Sequence, residues 1–190
     1  MKLRDDKKAG QIFRSVLTLV KEKGLAGITM GEIAKEAGMA TGTLYIYFKN
    51  KEELINNLFF ECRKEALENY FVNYDESLPF KKGFSIVWHN ILQFRIENFE
   101  EVVLMDQCYH SPFVNDCTVK LTKEMKKPLY KLIERGKKEN FFKDVDDMTL
   151  LTFMIGSIHE GVKNAHYNRK PLNKAAIDAM FKMCWDGMKR

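Results

Sequence analysis

Proline is scarce in this chain, with four in 190 residues, and no stretch alternates apolar and polar residues long enough to make a half-buried strand. That argues against a β-sandwich or barrel and leaves an all-α reading of about nine helices. No window of about 18 apolar residues is present, which argues against a transmembrane helix. The opening MKLRDDKKAG lacks the apolar core of a signal peptide, so a cytoplasmic location with no membrane partner is expected. Cys62, Cys108, Cys117 and Cys184 are widely spaced and form no CxxC pair. A disulfide framework and structural zinc are therefore both unsupported, and buried thiols are the expectation.

Catalytic signatures are missing as well. His159-Glu160 runs into Gly161-Val162-Lys163, so the HExxH spacing of a zinc protease is absent. Gly156 and Gly161 stand five apart as in a phosphate-binding loop, yet no Gly-Lys-Ser/Thr follows. There is no GxSxG nucleophile elbow. His159 and His166 could share a helix face, but no third metal ligand accompanies them. The chain is expected to be no enzyme, with no catalytic residue, metal or cofactor.

What is present begins with charge. Residues 1–51 hold ten Lys/Arg against five Asp/Glu, and residues 52–190 hold twenty-one of each. The whole net charge of +5 therefore lies in the first quarter, as a phosphate-binding head on a neutral body needs. A solvated helix surface is the plainer alternative for Lys7, Lys8, Lys21 and Lys23. Lysines of a polar arm over residues 1–7 could also reach a nucleic-acid backbone.

Thr29 to Lys51, TMGEIAKEAGMATGTLYIYFKNK, organises that quarter. Thr29 and Glu32 have the spacing of a capping box. Ile33, Ala34 and Ala37 recur at helical spacing, and Gly38 suits a left-handed helix end. A second helix is expected over Thr41–Phe48, with Leu44 inward and Thr43 and Tyr45 outward. Two short helices about such a turn make a helix-turn-helix, whose second helix enters the major groove. Helix 1, about Lys8 to Lys23 and closed by Gly24, would brace it. Asn50 is a suitable N-cap for a long helix over about Lys51 to Tyr74.

The run TGTLYIYFKNKEEL, preceded by ITMGEIAKEAGMA and QIFRSVLTLVKEKG, closely resembles the N-terminal signature of the TetR family of transcriptional regulators. The match covers about the first 55 residues. The family usually has serine where this chain has Ala40, so Thr41 is expected to cap one residue later. The resemblance implies a helix-turn-helix DNA-binding domain over residues 1–51 and a ligand-binding and dimerisation domain over 52–190. It also implies that Lys51 contacts a DNA phosphate. Thr29 and Tyr47 are further phosphate candidates, Thr43 and Tyr45 are candidates for base edges, and Gly42 would let the helix backbone come close.

In the body, further helices are expected over about Pro79–Glu97, Glu100–His110, Pro112–Asn140, Asp146–Tyr167 and Leu172–Lys189, the third of these kinked or split by Pro128. Ser157, Gly161 and Ala165 recur every four residues, and Ala176, Ala179, Met183 and Gly187 make a similar narrow face. A homodimer interface and close packing within one subunit both fit that spacing. The family dimerises through its last two long helices, which favours the dimer. Phe84, Trp88, Met105, Tyr109, His110, Phe153 and His159 are each ordinary core residues taken singly. Together they resemble the family's ligand-binding domain and imply a hydrophobic or amphipathic small-molecule effector. The expected protein is a dimeric repressor of a palindromic double-stranded DNA operator. The alternatives are a DNA-binding dimer with no inducer and a helical small-molecule-binding protein without operator recognition.

Overall fold

A computed structural model describes residues 6–109 and 111–190. Ten helices account for most of them: α1 Asp6–Gly27, α2 Met30–Glu36, α3 Thr41–Tyr47, α4 Lys51–Tyr70, α5 Phe80–Glu97, α6 Phe99–Tyr109, α7 Asp116–Met125, α8 Lys127–Lys138, α9 Asp147–Tyr167 and α10 Lys174–Met188. The all-α reading holds. The β pairing found among the described residues is an isolated bridge between Phe142 and Lys189. The expected helix over residues 112–140 is two helices, α7 and α8, with Pro128 in the first turn of α8, where its missing N–H does no harm. Asn115 caps α7 by accepting from the Thr118 amide at 2.9 Å, so that helix starts later than Pro112.

The chain divides into two compact units that are interleaved in sequence. One comprises residues 1–64 and 99–122, the other 65–98 and 123–190. The first unit is built on α1. Ile12, Val16, Leu19 and Val20 form its buried stripe and join Ile33, Leu44, Phe48, Ile55 and Phe59 in one core. Gly24 breaks α1 at φ +70°, a conformation that only glycine adopts cheaply. The Leu25 amide freed there donates to Gln107 Oε1 of α6 at 3.1 Å. Val102, Leu104, Met105 and Cys108 carry α6 into the same core.

In the second unit Phe80 and Phe84 of α5, Phe142 and Trp185 of α10 interlock, with Phe80 edge-on to Phe142 at 5.0 Å and Phe84 at 5.6 Å from Trp185. Gly136 of α8 makes that possible, since a β-carbon there would collide with both Phe80 and Phe142. Arg135 ties the cluster to the loop before α5 by donating to the Leu78 carbonyl at 2.7 Å. Cys62, Cys108 and Cys184 are buried cysteines outside any disulfide, and burial pushes the Cys108 thiol up to about 12. No helix among the described residues is long and apolar enough to cross a membrane.

Candidate nucleic-acid interface

The capping box at the start of α2 is complete. The Glu32 amide donates to Thr29 Oγ1 at 3.3 Å, while Glu32 Oε2 accepts from the Thr29 amide at 2.9 Å and its hydroxyl at 2.8 Å. Lys23 of α1 adds an ammonium 2.7 Å from the other carboxylate oxygen. Lys23 and then Thr29 hold the Glu32 carboxyl at about 2, well below the ordinary range. At the far end, Met39 N–H bonds the Ala34 carbonyl and Gly38 N–H bonds that of Lys35, with Gly38 at φ +63°. That is a Schellman closure, and the turn it makes sets the angle between α2 and α3. Gln11 of α1 donates to the Ala37 carbonyl at 2.8 Å, so the bracing helix also caps α2.

Ala40 is the N-cap of α3, extended at φ −67°, ψ 142° and without a side-chain cap. Thr41 is therefore the first helical residue and does not take over the capping, a correction to the expectation from sequence. Leu44 and Phe48 have no exposure and fasten α3 to the core, each contributing about 2 kcal/mol by burial. The opposite face presents Thr41, Gly42, Tyr45 and Ile46. Thr43 and Tyr47 lie half-buried at its edges, Tyr47 packed against the core. A β-carbon on Gly42 would meet nothing within 4 Å, so the backbone here is open to close approach. Ile46, 79% exposed, was not among the expected contacts. Its signal is its place beside Tyr45 and four residues after Gly42, outside every apolar stripe.

Asn50 caps α4 as expected, accepting from the Glu53 amide at 2.8 Å. Lys51, the expected phosphate contact, also has partners within the chain. Its ammonium donates to the Ile28 and Ala26 carbonyls at 2.7 and 3.2 Å and lies 4.5 Å from the centre of the Phe113 ring. Burial there lowers its pKa. Asn56 fixes the same loop from α4, donating to the Phe113 carbonyl at 2.6 Å and accepting from the Asn115 amide at 3.1 Å. Thr29, although exposed, has its hydroxyl proton directed to Glu32.

The six described ligand candidates are divided between the two units. Met105 and Tyr109 belong to the first unit, Met105 in its core and Tyr109 47% exposed. Phe84 and Trp88 are fully buried in the aromatic cluster of the second unit, where Trp88 meets Phe181 edge-on at 5.3 Å. These two are core residues, as the sequence suggests of each taken singly. Phe153 is half exposed, and His159 accepts at Nδ1 from Arg95 Nη1 at 2.7 Å. His110 lies outside the described residues, as do residues 1–5 of the expected polar arm. Arg95 escaped the sequence reading, although it interrupts the stripe of Phe84, Trp88 and Ile91 at helical spacing.

Two glycines expected at a dimer interface have partners within the chain. A β-carbon on Gly161 would collide with Met180 of α10, and one on Gly187 would stand 2.9 Å from the Phe153 ring. Their small size is thus explained by the contact of α9 with α10. Ala165 and Ala176 are half-buried, whereas Ser157, Ala179 and Met183 are exposed. Met183 is 72% exposed and continues a stripe through Ala175 and Ala179. Beside it runs a row of ion pairs, Lys174 with Asp178 and Lys182 with Asp186.

No group of three or more His, Cys, Asp or Glu among the described residues is arranged to hold a metal. What the first unit does present is a capped helix, a glycine turn and a short second helix with an open outer face. That is the helix-turn-helix of a DNA-binding regulator. The model of bacterial regulatory proteins of the tetR family matches residues 13–58, and that of the tetracyclin repressor-like C-terminal domain matches residues 79–189, over half of the chain. The chain belongs to the TetR family of DNA-binding transcriptional regulators, which are not enzymes. An uncharacterized HTH-type transcriptional regulator of Haemophilus influenzae is 37% identical over 90 residues, 47% of this chain and 48% of that relative. The chain thus matches about half the length of that curated relative. A TetR family regulator of Marinobacter aquaeolei VT8 shares the fold over 100% of both chains, with a TM-score of 0.89 and 24% identity. The regulator FadR of Bacillus subtilis, solved with stearoyl-CoA, shares it over 94% of this chain and 98% of its own, with a TM-score of 0.72 and 20% identity.

Proposed function

We propose that this regulator is a repressor that binds a palindromic operator as a homodimer and is released by a hydrophobic or amphipathic small molecule. The observation that carries the DNA side is the outer face of α3, where Thr41, Gly42, Tyr45 and Ile46 are open while Leu44 and Phe48 hold the helix down. In this reading Tyr45 and Thr43 address base edges, and Ile46 supplies an apolar contact for a thymine methyl. Tyr47, Thr29 and Lys51 serve the phosphates, Lys51 by exchanging an internal carbonyl for a phosphate oxygen. No arginine lies on α3, so bidentate guanine readout is not part of the proposal.

One helix of seven residues reads few base pairs, and a two-fold dimer doubles the site into a palindrome with half-sites roughly 34–36 Å apart. The exposed stripe of Ala175, Ala179 and Met183 with half-exposed Phe153 supports α9 and α10 as the dimer surface. The functional division proposed is DNA binding in residues 1–51, with effector binding and dimerisation in 52–190. The helix α4, Lys51–Tyr70, starts at that boundary and would carry movement of the body to α3. Release requires that the effector bind the DNA-free conformation better than the DNA-bound one, because equal affinity shifts nothing. The stearoyl-CoA held by the FadR fold supports an amphipathic effector. A cytoplasmic location follows from this function.

Selection of bound sequences from random duplex DNA at near-physiological salt tests the reading. An enriched palindrome with half-sites about one helical turn apart is expected. Salt-sensitive binding without any enriched sequence would overturn it.

A further inference from the structure

The apolar stripe of α5 ends in a charge. Phe84, Trp88, Ile91 and Leu92 are buried, and one turn further on stands Arg95, itself only 7% exposed. Its Nη1 donates to Nδ1 of His159 on α9 at 2.7 Å. Accepting that bond requires a lone pair on Nδ1, so His159 meets the guanidinium as a neutral imidazole. The charge of Arg95 is therefore hydrogen-bonded but not neutralised by this partner. Its Nε is buried and has no hydrogen-bond partner among the described residues. Buried polar groups are nearly always paired, and an orphaned donor on a buried cation marks a place where an acceptor belongs.

The shape of the guanidinium says which acceptor. His159 occupies the Nη1 end, which leaves the edge formed by Nε–H and Nη2–H, the edge that grips two oxygens of one anion side by side. The helices that position this edge are apolar nearby. Ile91 and Leu92 precede Arg95 by one turn on α5, and Ile158 and Val162 flank His159 on α9, all four buried. The acidic residue next to His159, Glu160, is exposed and paired with Lys163, so it does not supply the counter-charge.

We propose that the Nε/Nη2 edge of Arg95 anchors the anionic head, a carboxylate or a phosphate monoester, of the amphipathic effector. His159 fixes the guanidinium from its other end and is a positioning residue. This assignment rests on the effector-responsive reading above. It predicts discrimination by head group: an anion completes the hydrogen bonding of Arg95, whereas a neutral head leaves the charge without a counter-ion and a cationic head repels it.

The test uses the full chain and four amphiphiles of one tail length, dodecanoate, dodecyl phosphate, dodecanol and dodecyltrimethylammonium, each below its micellar concentration and titrated calorimetrically. At least one anion is expected to bind tenfold or more tighter than dodecanol, with the ammonium weakest. Which anion binds better identifies the head as carboxylate or phosphate. Arg95→Gln is expected to close the gap between anion and alcohol, and Arg95→Lys, which keeps the charge but loses the paired edge, to retain part of it. Equal binding of anion and alcohol by the unaltered protein, or a gap that survives Arg95→Gln, would overturn the anchor and leave the effector reading standing. Binding of none of the four would overturn both. The head-group comparison on the unaltered protein decides even if the Arg95 variants fold poorly.

Discussion

The Lys51 ammonium lies 2.7 Å from the Ile28 carbonyl oxygen, so the first residue of α4 closes the turn between α1 and α2. A residue expected to contact a DNA phosphate thus also serves the fold. Lys51→Ala is expected to lower stability by about 1 kcal/mol, the worth of a half-exposed charged hydrogen bond. It should also weaken binding to all DNA sequences alike and flatten the salt dependence by about one unit. Thermal melts and DNA titrations across a salt series check both effects, and an unchanged salt slope would confine Lys51 to the turn.

Tyr45→Ala and Ile46→Ala should leave the melting temperature within a degree or two, because both side chains stand outside the core. Each should cost about 1–3 kcal/mol of preference for the selected operator over random DNA. Competition binding measures this, and undiminished preference in either variant removes that residue from the readout.

Acid should loosen the start of α2. Glu32 has its folded pKa depressed to about 2, so the stabilisation from its bonds to Lys23 and Thr29 is fully present above the ordinary carboxylate range. It is lost as pH falls from about 4.5 towards 2. The melting-temperature difference between the native protein and Glu32→Gln should be constant above about pH 5 and shrink below it. A difference that persists unchanged to pH 2.5 would contradict the assignment.

Met183→Lys places a charge in the exposed stripe of α10 without touching the contact of α9 with α10. Sedimentation should show monomers with an unaltered melting profile at low protein concentration, and an intact dimer would place the association surface elsewhere. Gly161→Leu is a poorer probe, since its side chain would strike Met180 of the same chain and destabilise the second unit first.

Local chemistry was legible in the sequence. The Thr29–Glu32 box, the glycine closures at Gly24 and Gly38 and the Asn50 cap each depend on residues within a few positions of one another. The start of α3 at Thr41 was read correctly, but its capping was not, because a helix whose buried face is anchored by Leu44 and Phe48 forms without a side-chain cap. What could not be read were partners distant in sequence. Nothing near Lys51 announces Ile28 or Phe113, and nothing near Gly161 announces Met180. The assignment of α6 to the first unit rests on Val102, Leu104 and Met105 meeting α1, a choice made by packing rather than by any signal in α6 itself.

The break at Gly24 hands the Leu25 amide to Gln107, and that one proton becomes a natural reporter. Its exchange with deuterium is slow only while α6 stays seated against α1. Followed by NMR, the Leu25 resonance therefore reads the docking of α6 as a single clock, separate from global unfolding and available before any operator or effector is known.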